Sequence, residues 1–486
     1  MVDWIDATEM ARAVNAKEVS ARELIEESID RIEKLNPSLN ALVSKQYEQA
    51  LAEANQTVHL GKPFAGVPFL LKDLGQNEAG QPSSAGSRLF AGKKASHTDT
   101  YVARLKELGF IILGRTNTPE FGFKNISDAQ VHGPVRLPAD VTRHAGGSSG
   151  GAAAAVASGM VPIAGASDGG GSIRIPASFN GLIGLKTSRG RIPTGPKSYR
   201  GWQGAAINFA LTKSVRDTQR LLYHFQEYQL ESPFSLPTLT KEQIFSPLNR
   251  PLKIAFSSQS PVGSPVSQAA KEALSSICKE LSLLGHELIE LTDYPVDGVE
   301  LMKSFYLMNS VDTAQMFDEI ELGLGRPVTL DDMEVMTWAI LQSGQKVPAK
   351  LHSRALLDWD RYGATMVDFH RTYDLLLTPT VADVAPKLNQ FDLSSELLER
   401  LRHTQDYSMA EQQGLLWEMF EESLAWTPFT QLANICGQPS ISLPTYVSED
   451  GLSIGVQFTA GKGRDDLLLQ LASQLEEAGL LGGRSL

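Results

Sequence analysis

Residues 146–178 read GGSSGGAAAAVASGMVPIAGASDGGGSIRIPAS, and they contain the densest pattern in the chain. Two loops rich in Gly and Ser are separated by an alanine-rich helix, predicted over 152–157, and a short apolar strand, predicted over 161–164. Gly/Ser-rich segments often serve as flexible linkers. Here the helix and the strand need a packed core, and Ile173 and Ile175 continue the apolar pattern. We therefore expect both loops to be anchored and their backbone to form part of a functional site.

Two apolar runs upstream of this stretch each lead into polar residues. The run at 67–71 is followed by Lys72, and the run at 110–113 is followed closely by Asn117. Short runs that are apolar on both faces and alternate with helices are typical of a parallel or mixed sheet with helices on its faces. Such sheets bind ligands beyond the carboxyl ends of their strands. Lys72 and Asn117 are therefore expected on the functional side.

The remainder of the chain continues the alternation of helices and strands. Apolar periodicity predicts strands at 252–256, 287–291 and 375–377, a helix at 267–284, and helical stretches rich in aromatic residues at 300–345 and 395–430. No internal repeat and no Pro/Gly/Ser-rich linker divides the chain. The predicted fold class is α/β, in one domain over residues 1–486 that leaves room for an embedded subdomain at about 230–400.

Charge and composition argue against several classes of partner. The 486 residues carry a net charge of −12 and have no cluster of Lys and Arg, which disfavours nucleic acids and anionic membranes as partners. The acidic start of the chain and the lack of a long apolar run predict a cytoplasmic protein without a signal peptide or membrane span. The expected partner is a small-molecule substrate, and the expected state is a monomer or homodimer.

Motifs for cofactors and metals are missing from the sequence. The two cysteines, Cys278 and Cys436, are too few for a disulfide framework and lack the spacing of metal ligands. A phosphate-binding loop fails as well, because a Leu separates Gly184 from Lys186. No cofactor and no metal are therefore expected.

A different catalytic motif would assign the role of nucleophile to a serine within residues 146–178. Residues 146–150 fit G-x-S-x-G, the nucleophile elbow of α/β-hydrolases, which would make Ser148 the nucleophile of an esterase with a Ser-His-Asp triad. The elbow must follow a buried strand, whereas residues 135–145 contain a Pro and four charged or potentially charged side chains. This alternative is therefore disfavoured.

The two loops and the upstream lysine together carry a resemblance to a known family. GGSSGG, ASDGGGSIRIPAS and GVPFLLKD resemble the amidase signature family, serine hydrolases of amide bonds with a Ser-Ser-Lys triad. GRTNTPEFGF (114–123), GLKTSRGRIP (184–193) and GQPSISLP (437–444) stand in the family's order, so the resemblance covers nearly the whole chain. It implies the amidase signature fold, a central mixed β-sheet covered on both faces by helices, and an amidase activity.

The same resemblance assigns roles to three residues. It implies that Ser172 is the nucleophile, Ser148 the bridging serine and Lys72 the general base, with a cis peptide bond between Gly147 and Ser148. A serine hydroxyl attacks only when a base takes its proton, and a lysine can be that base only if burial lowers its pKa. Ser148 can donate and accept at once, so it can relay the proton. These residue types fit hydrolysis of a carboxamide through an acyl-enzyme.

Further residues around the nucleophile are expected to support it. The glycines Gly169, Gly170 and Gly171 have no side chains, so their N–H groups, together with that of Ser172, can gather into an oxyanion hole. Three more residues are implied by the resemblance: Ser149 as a hydrogen-bonding partner, and Asp168 with Arg174 as an ion pair.

The motifs constrain the substrate less than they constrain the chemistry. The glutamine-dependent tRNA amidotransferase subunit is the main alternative within the family, but its usual SIRQPA segment reads SIRIPAS here and its SSLDQ segment is missing. LGRPVTLDDMEVMTWAI (324–340) is instead similar to the 6-aminohexanoate cyclic-dimer hydrolase branch. An inactive scaffold is disfavoured because all three triad residues are present. We expect a small, partly apolar amide, bound by side chains such as Phe305, Trp338 and Trp417.

Overall fold

The computed structural model describes residues 6–56 and 58–482, which form a mixed β-sheet and the helices around it. The strands are β1 (Leu42–Lys45), β2 (Pro68–Lys72), β3 (Ile111–Thr116), β4 (Arg136–Leu137), β5 (Asp140–His144), β6 (Ile163–Asp168), β7 (Ile183–Lys186), β8 (Ile207–Thr212), β9 (Lys253–Phe256), β10 (Glu287–Glu290), β11 (Leu375–Pro379), β12 (Ser440–Val447) and β13 (Ser453–Ala460). The helices are α1 (Ala7–Asn15), α2 (Ala21–Leu39), α3 (Tyr47–Ala54), α4 (Thr100–Leu108), α5 (Gly150–Ala157), α6 (Arg174–Asn180), α7 (Val215–Phe225), α8 (Lys241–Phe245), α9 (Gln268–Leu283), α10 (Gly298–Leu324), α11 (Val335–Gln345), α12 (Ala349–Thr372), α13 (Ser395–Arg402), α14 (Met409–Trp426), α15 (Gln431–Ile435) and α16 (Asp465–Glu477).

Eleven of these strands form one sheet in the order β1-β3-β2-β6-β8-β7-β12-β13-β11-β9-β10, and β4 pairs with β5 in a separate hairpin. β2 is parallel to both β3 and β6, whereas β6 and β8 are antiparallel. Every residue of β2 and β3 is buried, so this part of the sheet is covered on both faces. The predicted α/β fold with a central mixed sheet is confirmed.

The parallel pairing of β2 and β6 positions the candidate site. Lys72 is the last residue of β2 and Asp168 is the last residue of β6, so both lie at the same edge of the sheet. The loop that follows β6 leads through Ser172 into α6. The expectation that polar groups gather beyond the carboxyl ends of parallel strands is met at this edge.

A second apolar core lies among α10, α11, α12, α13 and α14. These helices include the aromatic stretches predicted at 300–345 and 395–430. Side chains of α10 and α14 line the smaller of the two cavities described below. From the same part of the chain, β9, β10 and β11 join the main sheet. The division into one domain with an embedded subdomain stays a prediction.

Four helices, α6, α8, α12 and α15, were not predicted, and for α6 and α12 the physical reasons differ. Over its 24 residues α12 buries only Ala355, Trp359 and Met366, so its apolar stripe is too thin to stand out from the charged residues. The seven-residue α6 contains Pro176 and follows directly on the glycines, which obscures its start.

Spanning segments and clustered metal ligands are both missing from the described ranges. No helix within residues 6–56 and 58–482 is long and apolar enough to cross a membrane. The same ranges contain no group of three or more His, Cys, Asp or Glu side chains placed to hold a metal ion. Cys436 is buried, Cys278 is half-buried, and both are free thiols.

Candidate active site

Lys72 points a fully buried amine at two serine hydroxyls. Its Nζ lies 2.7 Å from Ser148 Oγ and 2.9 Å from Ser167 Oγ. The backbone of Lys72 is fixed on both sides, because Arg115 Nη1 donates to its carbonyl at 3.0 Å and its own N–H donates to Gln76 Oε1 at 2.8 Å. The lysine is therefore held in place at the end of its strand.

The surroundings of Lys72 favour its neutral form. Burial strips water from the ammonium group and lowers the pKa of Lys72 from 10.5 to about 7. The carboxylate of Asp168 acts in the opposite direction but does not overcome burial. A lysine with an ordinary pKa is almost fully protonated at neutral pH and has no lone pair to offer. Lys72 can therefore accept a proton at neutral pH.

Ser148 lies in the tight loop between the β4–β5 hairpin and α5. The Gly147–Ser148 peptide bond is cis, as the family resemblance implied. A side chain on Gly147 would collide with the backbone of Ile126, whose atoms lie 2.5 to 2.6 Å from the Cβ position. Ser127 Oγ donates to the Ser148 carbonyl at 3.2 Å and accepts from the Gly150 N–H at 3.0 Å. These contacts hold the Ser148 hydroxyl against the buried lysine.

The esterase alternative finds no base at this serine. A Ser-His-Asp triad needs a histidine on the serine hydroxyl. Ser148 Oγ bonds to Lys72 Nζ, and no histidine within the described ranges hydrogen-bonds to it. The preceding strand β5 belongs to the hairpin outside the main sheet, so the buried strand that a nucleophile elbow requires is also missing there.

Ser172 stands in the turn between β6 and α6, with its side chain half-buried. The turn is short, because β6 ends at Asp168 and α6 begins at Arg174. Ser172 and Ser148 line the same cavity. The fold thus brings the three predicted triad residues together, with Lys72 bonded to one serine and the two serines on one cavity wall.

Asp168 and Arg174 form the expected ion pair beneath this turn. The guanidinium donates to both carboxylate oxygens at 2.9 Å, and both side chains are fully buried. Arg174 also donates to the Thr430 carbonyl at 2.8 Å, Gln457 Oε1 at 3.1 Å and Asn434 Oδ1 at 2.6 Å. Burial raises the pKa of Asp168, but the charge and hydrogen bonds of Arg174 and a hydrogen bond from Asn434 hold that pKa well below its usual range. Asp168 is therefore a fixed anion.

This anion takes one of the predicted oxyanion-hole donors. The Gly171 N–H donates to Asp168 Oδ1 at 2.7 Å, so the assignment of Gly171 as a free donor is corrected. The N–H groups of Gly169, Gly170 and Ser172 donate to no other residue of the described ranges. These three amides stay the predicted donors to an oxyanion.

The glycines of the turn are required by close neighbours. Gly171 has φ +127°, and a Cβ there would also collide with the Thr430 hydroxyl. Thr430 Oγ1 in turn donates to the Gly170 carbonyl at 2.6 Å. A Cβ on Gly169 would lie 2.7 Å from the ring of Trp202. Other side chains are therefore excluded because neighbouring groups pack directly against the backbone.

Three residues of this site were not predicted: Ser167, Thr430 and Asn434. Ser167 binds the lysine amine, and its carbonyl accepts from Ser149 Oγ at 3.2 Å, which connects the two loops as expected of Ser149. Ser167 could have been found, because it lies within the quoted motif. Thr430 and Asn434 could not, since they reach the turn from about 260 residues further along the chain.

Two cavities meet at Ser172. The smaller cavity, of about 80 Å³, has apolar side chains of α10 and α14 in its lining, including Phe305 of α10. The larger cavity, of about 390 Å³, contains Ser148 as well. Phe123 and Trp202 line both. An amide whose carbonyl lies at Ser172 would have one cavity available for each of its two arms.

Two of the expected ligand-facing residues lie elsewhere. Trp338 and Trp417 pack among the helices and line neither cavity, in contrast to Phe305. Asn117 directly follows β3, at the edge of the sheet that holds Lys72, as expected, and its side-chain amide donates to two backbone carbonyls and so holds loops together. Composition marks such residues as aromatic or polar but does not give the rotation of a helix about its axis.

The chain is similar to known proteins in sequence and in fold. The Amidase family matches residues 23–469. A lipoamidase of Enterococcus faecalis is 38% identical over 97% of this chain, which spans 63% of that protein's length. A 6-aminohexanoate-cyclic-dimer hydrolase of Pseudomonas sp. (strain NK87) is 34% identical over 98% of this chain and 95% of that protein. A solved 6-aminohexanoate cyclic dimer hydrolase complexed with substrate has a TM-score of 0.88 at 32% identity, over 99% of this chain and 98% of that one.

Proposed function

Because this chain belongs to the amidase signature family, whose members hydrolyse amide carbon–nitrogen bonds, we propose that it is an amidase that forms an acyl-enzyme on Ser172. In this proposal Lys72 is the general base and Ser148 relays protons. The main support is the 2.7 Å contact between Lys72 Nζ and Ser148 Oγ. The pKa of Lys72, lowered by burial to about 7, makes the amine a competent acceptor.

Acylation requires a proton to move from Ser172 to Lys72 through Ser148, and then from Lys72 to the leaving nitrogen by the same route. Neutral Lys72 takes the proton of Ser148 while Ser148 takes that of Ser172, whose oxygen then attacks the substrate carbonyl carbon. A carbon–oxygen bond forms and the carbonyl electrons move onto the oxygen. When this intermediate collapses the carbon–nitrogen bond breaks, and the leaving nitrogen receives the proton from Lys72 through Ser148. The acyl group remains as an ester on Ser172.

Deacylation repeats the same route with water as the nucleophile. Water gives its proton to the relay, attacks the ester carbon, and releases the carboxylic acid as the proton returns to Ser172. In both steps the negative oxygen would be bound by the amides of Gly169, Gly170 and Ser172. One such donor typically stabilises the transition state by about 3 to 4 kcal/mol.

The two cavities support a small, partly apolar amide as substrate. The smaller cavity has room for a slender apolar arm against Phe305, and Trp202 separates that arm from the larger cavity. The relatives named for lipoamide and for the 6-aminohexanoate cyclic dimer are amide hydrolases, which supports the same class of bond.

A panel of small linear and cyclic amides and matching esters tests this proposal. We expect hydrolysis by the parent protein and a loss of about a thousandfold or more in Ser172→Ala, because the residual rate comes only from binding and the oxyanion hole. Ser282→Ala, an exposed serine on α9, is the matched control and should keep the parent rate. Unchanged hydrolysis in a folded Ser172→Ala protein would refute the nucleophile assignment.

A further inference from the structure

The larger cavity holds several charged or titratable side chains outside the triad. Apart from Tyr101, whose hydroxyl donates to the Phe209 carbonyl, they are His97, Asp99, Lys197 and Asp312. Charges on the wall of a mostly apolar cavity fix the orientation of a ligand, because few polar groups there compete with them. Their partners therefore decide which of them is available to a substrate.

Two of the four are already satisfied or solvated, and a third is satisfied at one of its two ring nitrogens. Asp99 Oδ1 pairs with His97 Nε2 at 3.0 Å, and Asp99 Oδ2 accepts from the Asn77 N–H at 2.7 Å. Lys197 is exposed, so water solvates its ammonium group. Asp99 and Lys197 therefore need no ligand, whereas His97 has one ring nitrogen bonded to Asp99 and keeps Nδ1 buried without a hydrogen-bond partner.

Asp312 differs from them. It lies on α10, is half-buried, and accepts one side-chain hydrogen bond, from Gln203 Nε2 at 3.1 Å. Within the described ranges no Lys, Arg or His lies at ion-pair distance from it, although 25 ion pairs occur elsewhere. An ionised carboxylate has about four acceptor sites, so most of the capacity of Asp312 is unused.

Burial makes the charge of Asp312 sensitive to a ligand. Desolvation raises the pKa of Asp312, and the Gln203 hydrogen bond and the charge of His352 offset this only in part. A cation that enters the cavity would gain a charge-assisted hydrogen bond and would be screened less than at the open surface.

The segment next to Asp312 is held in an uncommon conformation. Trp202 and Gln203 are consecutive residues with φ of 49° and 51°, a region that side chains other than glycine rarely adopt. In this conformation Trp202 lines both cavities while Gln203 reaches Asp312. This segment thus adds an aromatic wall to the cavity that Ser172 lines, and a hydrogen bond that orients the Asp312 carboxylate in the same cavity.

We propose that Asp312 binds a primary ammonium group on one arm of the substrate, so that the protein prefers amides that carry such a group a few bonds from the scissile bond. This rests on the proposed amidase function, since it names the substrate class of the same site. Asp312 acts here in specificity and takes no part in the bond-breaking steps.

Two pairs of matched substrates test the preference. In the first pair the acyl arm varies, with 6-aminohexanoyl and heptanoyl 4-nitroanilide; in the second the amine arm varies, with N-(5-aminopentyl)acetamide and N-hexylacetamide. Each pair exchanges only an ammonium for a methyl group. We expect kcat/KM to favour the ammonium member of one pair by about ten- to a hundredfold, the typical effect of a hydrogen bond to a charged group, mainly through KM.

Three variants separate this role from a merely structural one. Asp312→Asn should lower kcat/KM of the ammonium substrate to that of its methyl counterpart, and Asp312→Glu should keep part of the preference. Asp318→Asn, an exposed aspartate on the same helix, should retain the parent preference. Equal kcat/KM within both pairs, or a preference that survives Asp312→Asn, would overturn the proposal.

A binding measurement keeps this test separate from that of the amidase function. Calorimetric titration of the Ser172→Ala protein with hexylamine and with hexanol should show tighter binding of hexylamine, and the difference should vanish in Ser172→Ala/Asp312→Asn. Equal binding of the two compounds would overturn the role of Asp312 even if hydrolysis is seen. Preferential binding without hydrolysis of any substrate would support the ammonium site and contradict the amidase.

Discussion

At the scale of single residues, two opposing forces set the state of Lys72. Full burial disfavours the ammonium form, whereas the carboxylate of Asp168 favours it, and burial has the larger effect. The result is an amine that loses its proton near neutral pH while it stays bonded to Ser148. The first two predictions follow from this balance.

The rate of hydrolysis should depend on pH through Lys72. Since the pKa of Lys72 is about 7, kcat/KM should rise as pH increases through that value and level off above it, because only the neutral amine accepts a proton. A pH–rate profile between about pH 5 and 9, with a substrate that does not titrate there, measures this. A flat profile on the acidic side would contradict the assignment of the base.

Replacement of the lysine by methionine should separate activity from stability. Lys72→Met should lower kcat by about a hundred- to ten-thousandfold, the usual contribution of a general base. It should also raise the melting temperature, and more at pH 6 than at pH 10. Between the folded pKa of about 7 and the ordinary value of 10.5, the unfolded chain binds more protons, so the penalty of burying this lysine is full below the folded pKa and fades as pH rises.

The matched control for this variant is Lys271→Met, an exposed lysine on α9. It should keep the parent activity and show the same melting temperature difference at both pH values. An equal gain for Lys72→Met at pH 6 and pH 10 would mean that Lys72 is not buried as a neutral amine.

At the scale of elements, the turn between β6 and α6 is shaped from below by a buried ion pair and from the side by Thr430. Its backbone has little freedom, because Asp168 binds the Gly171 and Ile173 amides at 2.7 and 3.2 Å. A substitution in the ion pair or at the contact with Thr430 should therefore disturb the whole turn as well as remove one contact.

Removal of one partner of the buried pair should be strongly destabilising. Arg174→Leu leaves Asp168 as an uncompensated buried charge, and we expect a loss of about 3 to 5 kcal/mol in the free energy of unfolding. Arg371→Leu removes an exposed pair with Asp368 and should cost at most about 1 kcal/mol. Urea unfolding of both variants compares them, and equal losses would contradict the picture of a desolvated pair.

A methyl group on the turn should disturb catalysis directly. Gly171→Ala is incompatible with φ +127° and with the Thr430 hydroxyl, so the turn must shift. Since a displacement of about 1 Å can reduce a rate a hundredfold, we expect at least that loss in kcat. Gly414→Ala, in the interior of α14 with open space around it, should keep activity and stabilise the protein by about 0.5 to 1 kcal/mol. Parent-like activity of Gly171→Ala would refute the role of the turn.

Elements with strong periodicity were predictable, and those with weak periodicity were not. β2 and β3 are apolar on both faces and buried throughout, which their sequences show directly. α12 was missed because three buried residues leave almost no stripe to detect. The motif predicts Lys72 and Ser172 as site residues, but the tertiary contact that occupies the Gly171 amide has no local signal.

At the scale of the whole molecule, the site is assembled from segments that are far apart in the chain. Strands β2 and β6 of the sheet supply Lys72 and Asp168, and the loop after the β4–β5 hairpin supplies Ser148. Helix α10 lines both cavities, and α14 lines the smaller one. Which aromatic side chains face the substrate depends on how these helices are rotated against the sheet, so Phe305 could not be told from Trp417 by sequence. The position of Asp312 on the lining of the larger cavity depends on the rotation of α10 in the same way.

We assign the covalent intermediate to Ser172 and not to Ser148. Reaction of the parent protein with a fluorophosphonate, followed by intact mass and peptide mapping, distinguishes the two serines. We expect one adduct on the peptide that contains Ser172, and none in Ser172→Ala. An adduct on Ser148, or steady turnover of substrate with no adduct from a reagent shown to enter the cavity, would contradict this assignment.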